Sequence, residues 1–379
     1  MNKTKATVLF LIDTLEVGGA ERSILEIASR LKHHRPVVCH IYPGNSLAGS
    51  YQSAGLEVVN LDVPPKYNFL LAIQRVNETI RELKPDLIVT TLFRADVVGR
   101  VAGKWLDIPV ISSFVNDTYS DIRLSNMSRK QRFKHGLLRV LDRVTAKFCV
   151  SFISNSHSIK RQNCLALGVP LDRVQVIFRG RNVSHFRHDN RPRFQRPNKI
   201  RILNVARLEE RKGQADLIGA MKMVVAIHPQ AQLFIAGEGP YRTTLEKKIA
   251  AANMTAHIAL LGTRHDIAEQ LAEADVFASP SYFEGLPGSV VEAMLSGIPT
   301  VLSDIDVHKE MLLDTDAEIQ TLFKLGDRED LAKKLIAVIE QPGKYLAASE
   351  VIRQRAIEKF SIENIVHQHE ECYALFIRR

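Results

Sequence analysis

The sequence of 379 residues has only four cysteines, a single tryptophan and no long apolar run. The cysteines are widely scattered, which argues against a zinc site of paired cysteines and against a disulfide framework. No apolar stretch approaches the roughly 18 residues that a membrane-spanning helix needs. The run VLFLI near the N-terminus lacks a cleavage signature and predicts a buried strand rather than a signal peptide. We therefore expect a cytoplasmic protein, because the cytoplasm keeps thiols reduced.

Motifs of several other protein classes are absent as well. No G-x-G-x-x-G follows the first apolar run, which argues against a dinucleotide-dependent dehydrogenase. The histidines show no H-E-x-x-H spacing of a zinc enzyme. The chain has neither a helix-turn-helix pattern nor a basic motif interleaved with aromatic residues, so we expect no nucleic-acid partner.

The charge of the chain is unevenly distributed. The net charge is +9, but residues 1–200 contain 31 Lys and Arg against 16 Asp and Glu, a net charge of +15. Residues 201–379 contain 20 against 26, a net charge of −6. This asymmetry predicts two domains with different partners. The basic half is expected to face something anionic, such as a membrane surface or a phosphorylated substrate.

Short apolar runs alternate with helical patterns in both halves of the chain. In the first half, strand-like runs such as ATVLFLID and DLIVTT are separated by helical patterns, notably around 69–83 and 94–106. In the second half, the strand-like runs begin at KIRILNVA and continue through AQLFIAGEG and DVFASPS. This alternation predicts an α/β fold with parallel sheets and helices on both faces. Open sheets of this kind bind ligands at the carboxyl ends of their strands, so we expect two Rossmann-like domains that face a central cleft.

A polar stretch with two prolines and no periodicity separates the two halves and predicts a linker. We place the first domain at residues 1–190, the linker at 191–199 and the second domain at 200–355. The remaining residues, 356–379, are predicted to be helical, and a return of this helix to the first domain is one alternative.

The segment FEGLPGSVVEAML places two glutamates, Glu284 and Glu292, around a glycine-containing turn. Pro287 is typical of the first turn of a helix. Gly288 and Ser289 would then present unpaired backbone N–H groups at a helix N-terminus, where the helix dipole favours an anion. The alternative is an ordinary surface helix with two unrelated glutamates.

Two basic residues, Arg207 and Lys212, follow the first strand of the second half in RLEERKG. Because a Rossmann-like sheet holds its ligand at the carboxyl ends of its strands, this position favours a ligand-binding role. The alternative is a solvated charged loop, and we adopt that interpretation for Glu209, Glu210 and Arg211.

The second half resembles the donor-binding domain of the retaining GT-B glycosyltransferases of family 4. The matching stretches are NVARLEERKG, FIAGEGP, LLGTRHD and DVFASPSYFEGLPGSVVEAMLSGIPTVLSD. In the first half, VGGAER, ISNSHSIK and VIFRG are similar to the family pattern. The resemblance implies a GT-B fold, in which the N-terminal domain binds the acceptor and the C-terminal domain binds a nucleotide-diphosphate sugar.

The resemblance also implies roles for individual residues in binding the donor phosphates. Arg207 and Lys212 match the pair that binds the diphosphate, where negative charge develops as the glycosidic bond breaks. The backbone N–H groups of Gly288 and Ser289 would hold the same phosphates.

The remaining donor contacts implied by the resemblance involve two glutamates and two glycines. Glu292 matches the glutamate that accepts hydrogen bonds from the ribose hydroxyls, and Glu284 matches the one that faces the transferred sugar. Gly18 and Gly19 match a glycine loop that faces the donor phosphates across the cleft, where the lack of a Cβ allows close backbone approach. We therefore assign the catalytic positions to Glu284, Arg207 and Lys212.

The sequence departs from the family pattern at two places. Family members commonly have a sugar-contacting histidine after the strand that corresponds to PVISSF, but this chain has Asn116 and Asp117 there. Either could make a similar hydrogen bond, and the sequence does not choose between them. Arg179 and Arg181 replace neutral residues of the family at the edge of the cleft. They either contact an anionic acceptor or extend the basic face.

Residues 123–148 contain eight Lys and Arg but one acidic residue. The apolar residues that lie near helical spacing are Phe133, Leu137, Leu138, Leu141, Val144 and Phe148. One interpretation is a basic amphipathic helix on anionic lipid. The other is an ordinary helix with one face in the core and one in solvent.

Together these observations predict a retaining hexosyltransferase of bacterial cell-surface polysaccharide, lipopolysaccharide or glycolipid synthesis. Its partners would be a nucleotide-diphosphate sugar and a glycan or lipid-linked acceptor, at the cytoplasmic face of a membrane. We predict no cofactor and no metal, although Asp304-Ile-Asp306 looks like the metal-binding motif of the other major glycosyltransferase fold. The alternatives are a nucleotide-sugar epimerase of the same architecture and a non-catalytic nucleotide-sugar-binding protein.

Overall fold

The computed structural model describes residues 5–64, 68–116, 118–119, 124, 127–186, 194, 199–312 and 321–377. The chain forms two compact units. The first consists of Met1–Gly180 and Ile362–Arg379, and the second of Arg181–Ser361. These limits differ from the predicted ones at 190 and 356, because the backbone N–H of Arg181 donates to the carbonyl of Phe360 at 2.8 Å. Most of the predicted linker, 191–199, lies outside the described residues.

Parallel strands form the centre of the first unit. Within the described ranges, its strands are β1 (Ala6–Ile12), β2 (His34–His40), β3 (Glu57–Asn60), β4 (Leu87–Thr91), β5 (Val110–Phe114), β6 (Ser151–Ser154) and β7 (Val174–Val176). Its first helices are α1 (Gly19–Ala28), α2 (Ala48–Ser53), α3 (Phe69–Leu83), α4 (Phe93–Leu106), α5 (Arg129–Ala146) and α6 (His157–Leu167). The strands pair in the order β3-β2-β1-β4-β5-β6-β7.

The central strand β1 is buried on both faces of this sheet. Leu9 and Leu11 belong to one apolar cluster, whereas Phe10 and Ile12 belong to another, because successive side chains of a strand point to opposite faces. Both clusters include helix residues, for example Ile73 of α3 in the first. The predicted α/β fold with helices on both faces is therefore confirmed in this unit.

The second unit repeats this architecture. Its strands, among the residues with a described conformation, are β8 (Ile200–Val205), β9 (Ala231–Ala236), β10 (Ile258–Gly262), β11 (Val276–Ser279), β12 (Thr300–Ser303) and β13 (Leu322–Phe323). Its helices are α7 (Gln214–Ile227), α8 (Arg242–Ala251), α9 (Ile267–Glu273), α10 (Gly288–Leu295), α11 (Asp306–Met311), α12 (Arg328–Glu340) and α13 (Pro342–Phe360). The strands are parallel and pair in the order β10-β9-β8-β11-β12-β13.

The last helix, α14 (Ile362–Ala374), belongs to the first unit. Tyr373 is fully buried there and contacts Phe10 of β1, with 6.2 Å between the ring centroids. The Glu370 carboxylate accepts the backbone N–H groups of Lys32 and His33, each at 2.6 Å. Apolar packing and charge-assisted hydrogen bonds thus fix this helix on the first sheet.

None of the helices in the described ranges is long and apolar enough to cross a membrane.

Candidate active site

The predicted residues of the second unit lie at the point where its strand order reverses. The chain runs from β8 outward to β9 and β10 on one side, and then through β11, β12 and β13 on the other. The carboxyl ends of the two central strands therefore diverge into loops on either side, which is where open α/β sheets hold their ligands. The loop after β8 carries Arg207 and Lys212, and the loop after β11 carries Glu284.

Lys212 and Glu284 form a buried ion pair in these two loops. The Lys212 ammonium donates to Oε1 of Glu284, and the two side chains are 13% and 9% exposed. Ser281 Oγ donates to the same oxygen at 2.8 Å. Arg211 lies 3.5 Å from the other carboxylate oxygen. The structure therefore surrounds one predicted sugar-facing carboxylate with two cations and a hydroxyl.

This environment determines the protonation of Glu284. Burial alone would raise its pKa, but the charges of Lys212 and Arg211 and the hydrogen bonds from Lys212 and Ser281 outweigh that effect. Together they lower the pKa of Glu284 to about 2. The side chain is thus a carboxylate at neutral pH, able to accept hydrogen bonds and to stabilise positive charge.

The prediction that Glu209 and Arg211 belong to a solvated charged loop is wrong. Glu209 bridges two guanidinium groups, with Arg207 at 3.2 Å and Arg211 at 2.8 Å. Arg211 also lies over the ring of Phe283, 5.4 Å from its centroid. Nothing in the sequence indicated that Arg211 contacts Glu284, because the two residues are 73 positions apart.

The loops after β8 and β11 are packed against each other without space for a further atom. Gly213 has φ of +68°, and a Cβ at this residue would lie 2.0 Å from the carbonyl oxygen of Pro280. Tyr282 donates from its backbone N–H to the carbonyl of Arg211 at 2.8 Å. Its hydroxyl donates to Asp216 of α7 at 2.6 Å. These contacts hold the loop of Lys212 against the loop of Glu284.

The helix α10 begins at the predicted glycine and carries Glu292 on its second turn. Pro287 immediately precedes the helix and accepts the backbone N–H of Val290 at 3.1 Å. The first N–H groups of a helix, here those of Gly288 and Ser289, have no acceptor within the helix itself.

The carboxylate of Glu292 accepts a hydrogen bond from Arg181 Nε at 2.7 Å. Both side chains are largely buried, so Arg181 does not extend a basic surface. The pair orients the carboxylate that the family pattern assigns to the ribose. Sequence reasoning did not connect these two residues, which are 111 positions apart.

A buried histidine, His308 of α11, lies behind this site. Its Nδ1 is 2.9 Å from the carbonyl of Ser303 at the end of β12. Burial lowers its pKa to about 4, and the charges of Glu284 and Lys212 act on it in opposite directions. His308 is therefore neutral at neutral pH. Nearby, Asp304 of the DxD-like stretch pairs with Lys309 at 2.6 Å.

In the first unit, the structure brings Arg179 to the glycine loop. Gly18 precedes α1 and Gly19 begins it. A Cβ at Gly19 would lie 3.0 Å from the guanidinium of Arg179, so this arginine covers the predicted glycine loop. Asn116 follows β5, and its carbonyl accepts the backbone N–H of Thr118 at 3.0 Å. Asp117 lies outside the described residues, so the choice between it and Asn116 stays open.

The fold is that of a two-unit α/β protein with a cluster of charged side chains at the carboxyl ends of parallel strands in its second unit. The family model described as Glycosyltransferase Family 4 matches residues 17–185. The model described as Glycosyl transferases group 1 matches residues 186–357. The chain belongs to the family 4 glycosyltransferases with the GT-B fold.

Curated relatives support this membership along most of the chain. The chain is 25% identical over 269 residues to an uncharacterized glycosyltransferase of Methanocaldococcus jannaschii, an alignment that covers 67% of this chain and 64% of that protein. It is 27% identical to the phosphatidyl-myo-inositol mannosyltransferase of Mycolicibacterium smegmatis, over 85% of this chain and 81% of that protein. It is 26% identical to the N,N'-diacetylbacillosaminyl-diphospho-undecaprenol alpha-1,3-N-acetylgalactosaminyltransferase of Campylobacter jejuni, over 91% and 92%.

Among solved structures, the fold is similar to that of Anabaena HepE in complex with UDP-glucose. The TM-score is 0.82 at 22% identity, and the superposition covers 97% of this chain and 99% of that one. The predicted fold is confirmed by this likeness.

Proposed function

We propose that the protein is a retaining glycosyltransferase that moves a sugar from a nucleotide-diphosphate sugar to an acceptor hydroxyl. The observation that carries the proposal is the buried Lys212–Glu284 ion pair at the ends of β8 and β11. Both residues belong to stretches that match the family pattern, in a chain whose two halves match glycosyltransferase family models. The epimerase and the non-catalytic binding protein gain no support from these contacts.

In this proposal Lys212 and Arg207 bind the leaving diphosphate. Negative charge grows on the phosphates as the glycosidic bond breaks, and a positioned cation stabilises that charge more in the transition state than in the ground state. Arg211 adds a third cation to the same loop. Gly288 and Ser289 at the start of α10 hold the phosphates through backbone N–H groups. With these groups in place, we infer that the reaction needs no metal and no cofactor.

Glu284 accepts hydrogen bonds from the transferred sugar, and Glu292, oriented by Arg181, accepts them from the ribose. Because Glu284 is ionised, it stabilises positive charge on the sugar but does not donate a proton at neutral pH. The acceptor hydroxyl attacks the face that the diphosphate leaves, and a donor phosphate oxygen removes its proton. The contacts predicted for the first unit stay predictions: Gly18 and Gly19 with the donor phosphates, and either Asn116 or Asp117 with the sugar.

We further propose an acceptor carried on a lipid and a location at the cytoplasmic face of a membrane. Support comes from the two relatives whose names specify lipid acceptors, phosphatidyl-myo-inositol and diphospho-undecaprenol. The product would then enter bacterial cell-surface polysaccharide, lipopolysaccharide or glycolipid synthesis. The basic segment 123–148 is the proposed contact with anionic lipid.

A thermal-shift screen of UDP, GDP, ADP and their sugars tests donor binding. A nucleotide at 100 times its dissociation constant should stabilise the fold by about 2.7 kcal/mol. The double substitution Arg207→Ala, Lys212→Ala should abolish the shift, whereas Lys222→Ala on α7 should not. A flat response to every nucleotide would contradict the proposal. Conversion of the donor sugar without any acceptor would instead support the epimerase.

A further inference from the structure

The helix α5 presents an apolar stripe to the outside of the first unit. Its members and their exposed fractions are Phe133 (73%), Leu137 (59%), Val140 (61%) and Val144 (50%). At about 100° per residue, the four side chains lie within an arc of about 60°. They are four of the thirteen exposed large apolar side chains in the described ranges. A surface helix ordinarily directs its polar residues outward, so this stripe reverses the usual pattern.

The opposite side of α5 is fixed in the interior by a charge network. Arg100 of α4 is fully buried and donates to the Asp142 carboxylate at 2.6 Å and to Thr145 Oγ1 at 3.3 Å. Its Nε donates to Ser112 of β5 at 2.8 Å. Turning the stripe inward would break this buried pair and leave uncompensated charges, which typically costs about 3–5 kcal/mol. The outward orientation of the stripe is therefore a fixed property of the fold.

Basic side chains lie on both sides of the stripe. With 100° per residue, the basic residues nearest one edge are Lys130 and Lys134, and those nearest the other are Arg129 and Arg143. The one acidic residue of the helix is Asp142, which is buried against Arg100. The outer surface of α5 is thus apolar along its centre and basic along both edges.

We propose that this surface docks the protein on an anionic lipid bilayer. The stripe enters the boundary between headgroups and acyl chains, and the basic edges contact the anionic headgroups. Charge complementarity favours this occupant over a second copy of the chain, because two copies of this helix would bring like charges together. This proposal rests on the proposed function in one respect, the expectation that a lipid-carried acceptor lies nearby. Binding to the bilayer itself requires neither donor nor acceptor.

Vesicle sedimentation tests the surface. We expect the full chain to bind vesicles of 70% phosphatidylcholine and 30% phosphatidylglycerol, and to bind pure phosphatidylcholine at least tenfold more weakly. The substitutions Phe133→Gln, Leu137→Gln should lower partitioning at least tenfold. Arg129→Glu, Lys130→Glu should do the same at low salt, since each cation near an anionic surface contributes about fivefold.

Matched controls lie in the second unit. Ile227→Gln, Val351→Gln removes two exposed apolar residues elsewhere, and Lys247→Glu, Lys248→Glu makes the same charge change on α8. Both should bind vesicles within about twofold of the unchanged chain. Unfolding temperatures and nucleotide-induced shifts should be the same in all variants, which separates docking from donor binding. Wild-type partitioning of the stripe variant would overturn the proposal.

Insertion can be distinguished from simple charge attraction by fluorescence. The chain has one tryptophan, Trp105, so Trp105→Phe gives a silent background. In that background, brominated phospholipid should quench Phe133→Trp but not Ile227→Trp. Light scattering completes the test by measuring whether the unchanged chain is a dimer. If it is a dimer that the stripe substitutions dissociate, and a tryptophan at position 133 is not quenched, then a second copy of the chain occupies the stripe and the proposal is overturned.

Discussion

Lys212 and Arg207 occupy one loop but very different surroundings. The Lys212 side chain is 13% exposed and paired with a buried carboxylate, whereas Arg207 is 66% exposed. Charges interact more strongly where water is excluded. Lys212 therefore supports both the fold and the proposed chemistry, whereas Arg207 pairs with Glu209 but keeps most of its side chain open to a ligand.

We predict that Lys212→Met and Arg207→Met separate these roles. Both should lower kcat/KM at least 10²-fold, because each removes a cation from the leaving diphosphate. Lys212→Met should also lower the free energy of unfolding by about 3 kcal/mol, since it leaves Glu284 buried with less compensating charge. Arg207→Met should change it by less than about 0.5 kcal/mol. Urea unfolding and steady-state kinetics measure the two effects, and equal stabilities would contradict the assignment.

Arg181 gives a second prediction at this scale, as a positioning residue for Glu292. Arg181→Met should raise the KM for the donor about tenfold with a smaller change in kcat, because the ribose contact loses its fixed geometry. Arg161→Met, an exposed change on α6, is the control and should alter neither parameter. An unchanged donor KM in the Arg181 variant would refute the positioning role.

At the scale of elements, the site depends on two loops that meet without a gap. Gly213 lies where the loop after β8 touches Pro280, with a left-handed backbone that side chains rarely adopt. The geometry of Lys212 and Glu284 follows from this contact. The pairing is therefore a property of β8 and β11 together rather than of either loop alone.

Gly213→Ala should therefore destabilise the fold by at least about 2 kcal/mol and weaken nucleotide binding. The matched control is Gly136→Ala in α5, where an added Cβ meets nothing within 4 Å. That substitution should be neutral or stabilising by up to about 1 kcal/mol, because alanine favours helix. Chemical denaturation compares the two variants. Equal stabilities would show that the loops can separate.

The features that could be predicted from the sequence are those formed by contiguous residues. The apolar runs of β1, β4 and β8 and the stretch from Glu284 to Glu292 needed no tertiary information. The contacts of Arg211 with Glu284, of Arg181 with Glu292 and of Arg100 with Asp142 did, because these carboxylates are distant in the sequence and a lone arginine has no periodicity. The division of the chain after Gly180 was missed for the same reason, since it depends on the contact of Arg181 with Phe360.

At the scale of the whole molecule, each unit contains a histidine buried in neutral form. His308 lies in the second unit and His369, on α14, in the first. Burial lowers the pKa of each to about 4, from the usual 6.5. Between these values the unfolded chain binds protons that the folded chain does not. Stability from the neutral forms is therefore complete above pH 6.5 and is lost progressively as the pH falls.

We predict that each histidine contributes a loss of about 2 kcal/mol in the free energy of unfolding between pH 7.5 and pH 5. Burial raises the pKa of Asp13 to about 7 and of Asp96 to about 6, and these two groups add stability as the pH falls over the same interval. Glu284 contributes little over this interval, because its stabilisation is lost only as the pH falls from about 4.5 towards 2. Urea unfolding followed by circular dichroism at the two pH values measures the loss. His308→Gln and His369→Gln should each remove about 2 kcal/mol of loss between the two pH values, compared with the unchanged chain. An unchanged pH dependence in both variants would contradict the prediction.

The buried Arg100–Asp142 pair has a consequence for how the chain would meet a bilayer. Many surface-active segments are coils in water and become helical only on lipid, so part of their binding energy is consumed in ordering the backbone. The α5 backbone is already ordered by its interior contacts, so that entropic loss is incurred during folding. Addition of anionic vesicles should consequently leave the far-ultraviolet spectrum unchanged while the protein moves from solution to lipid.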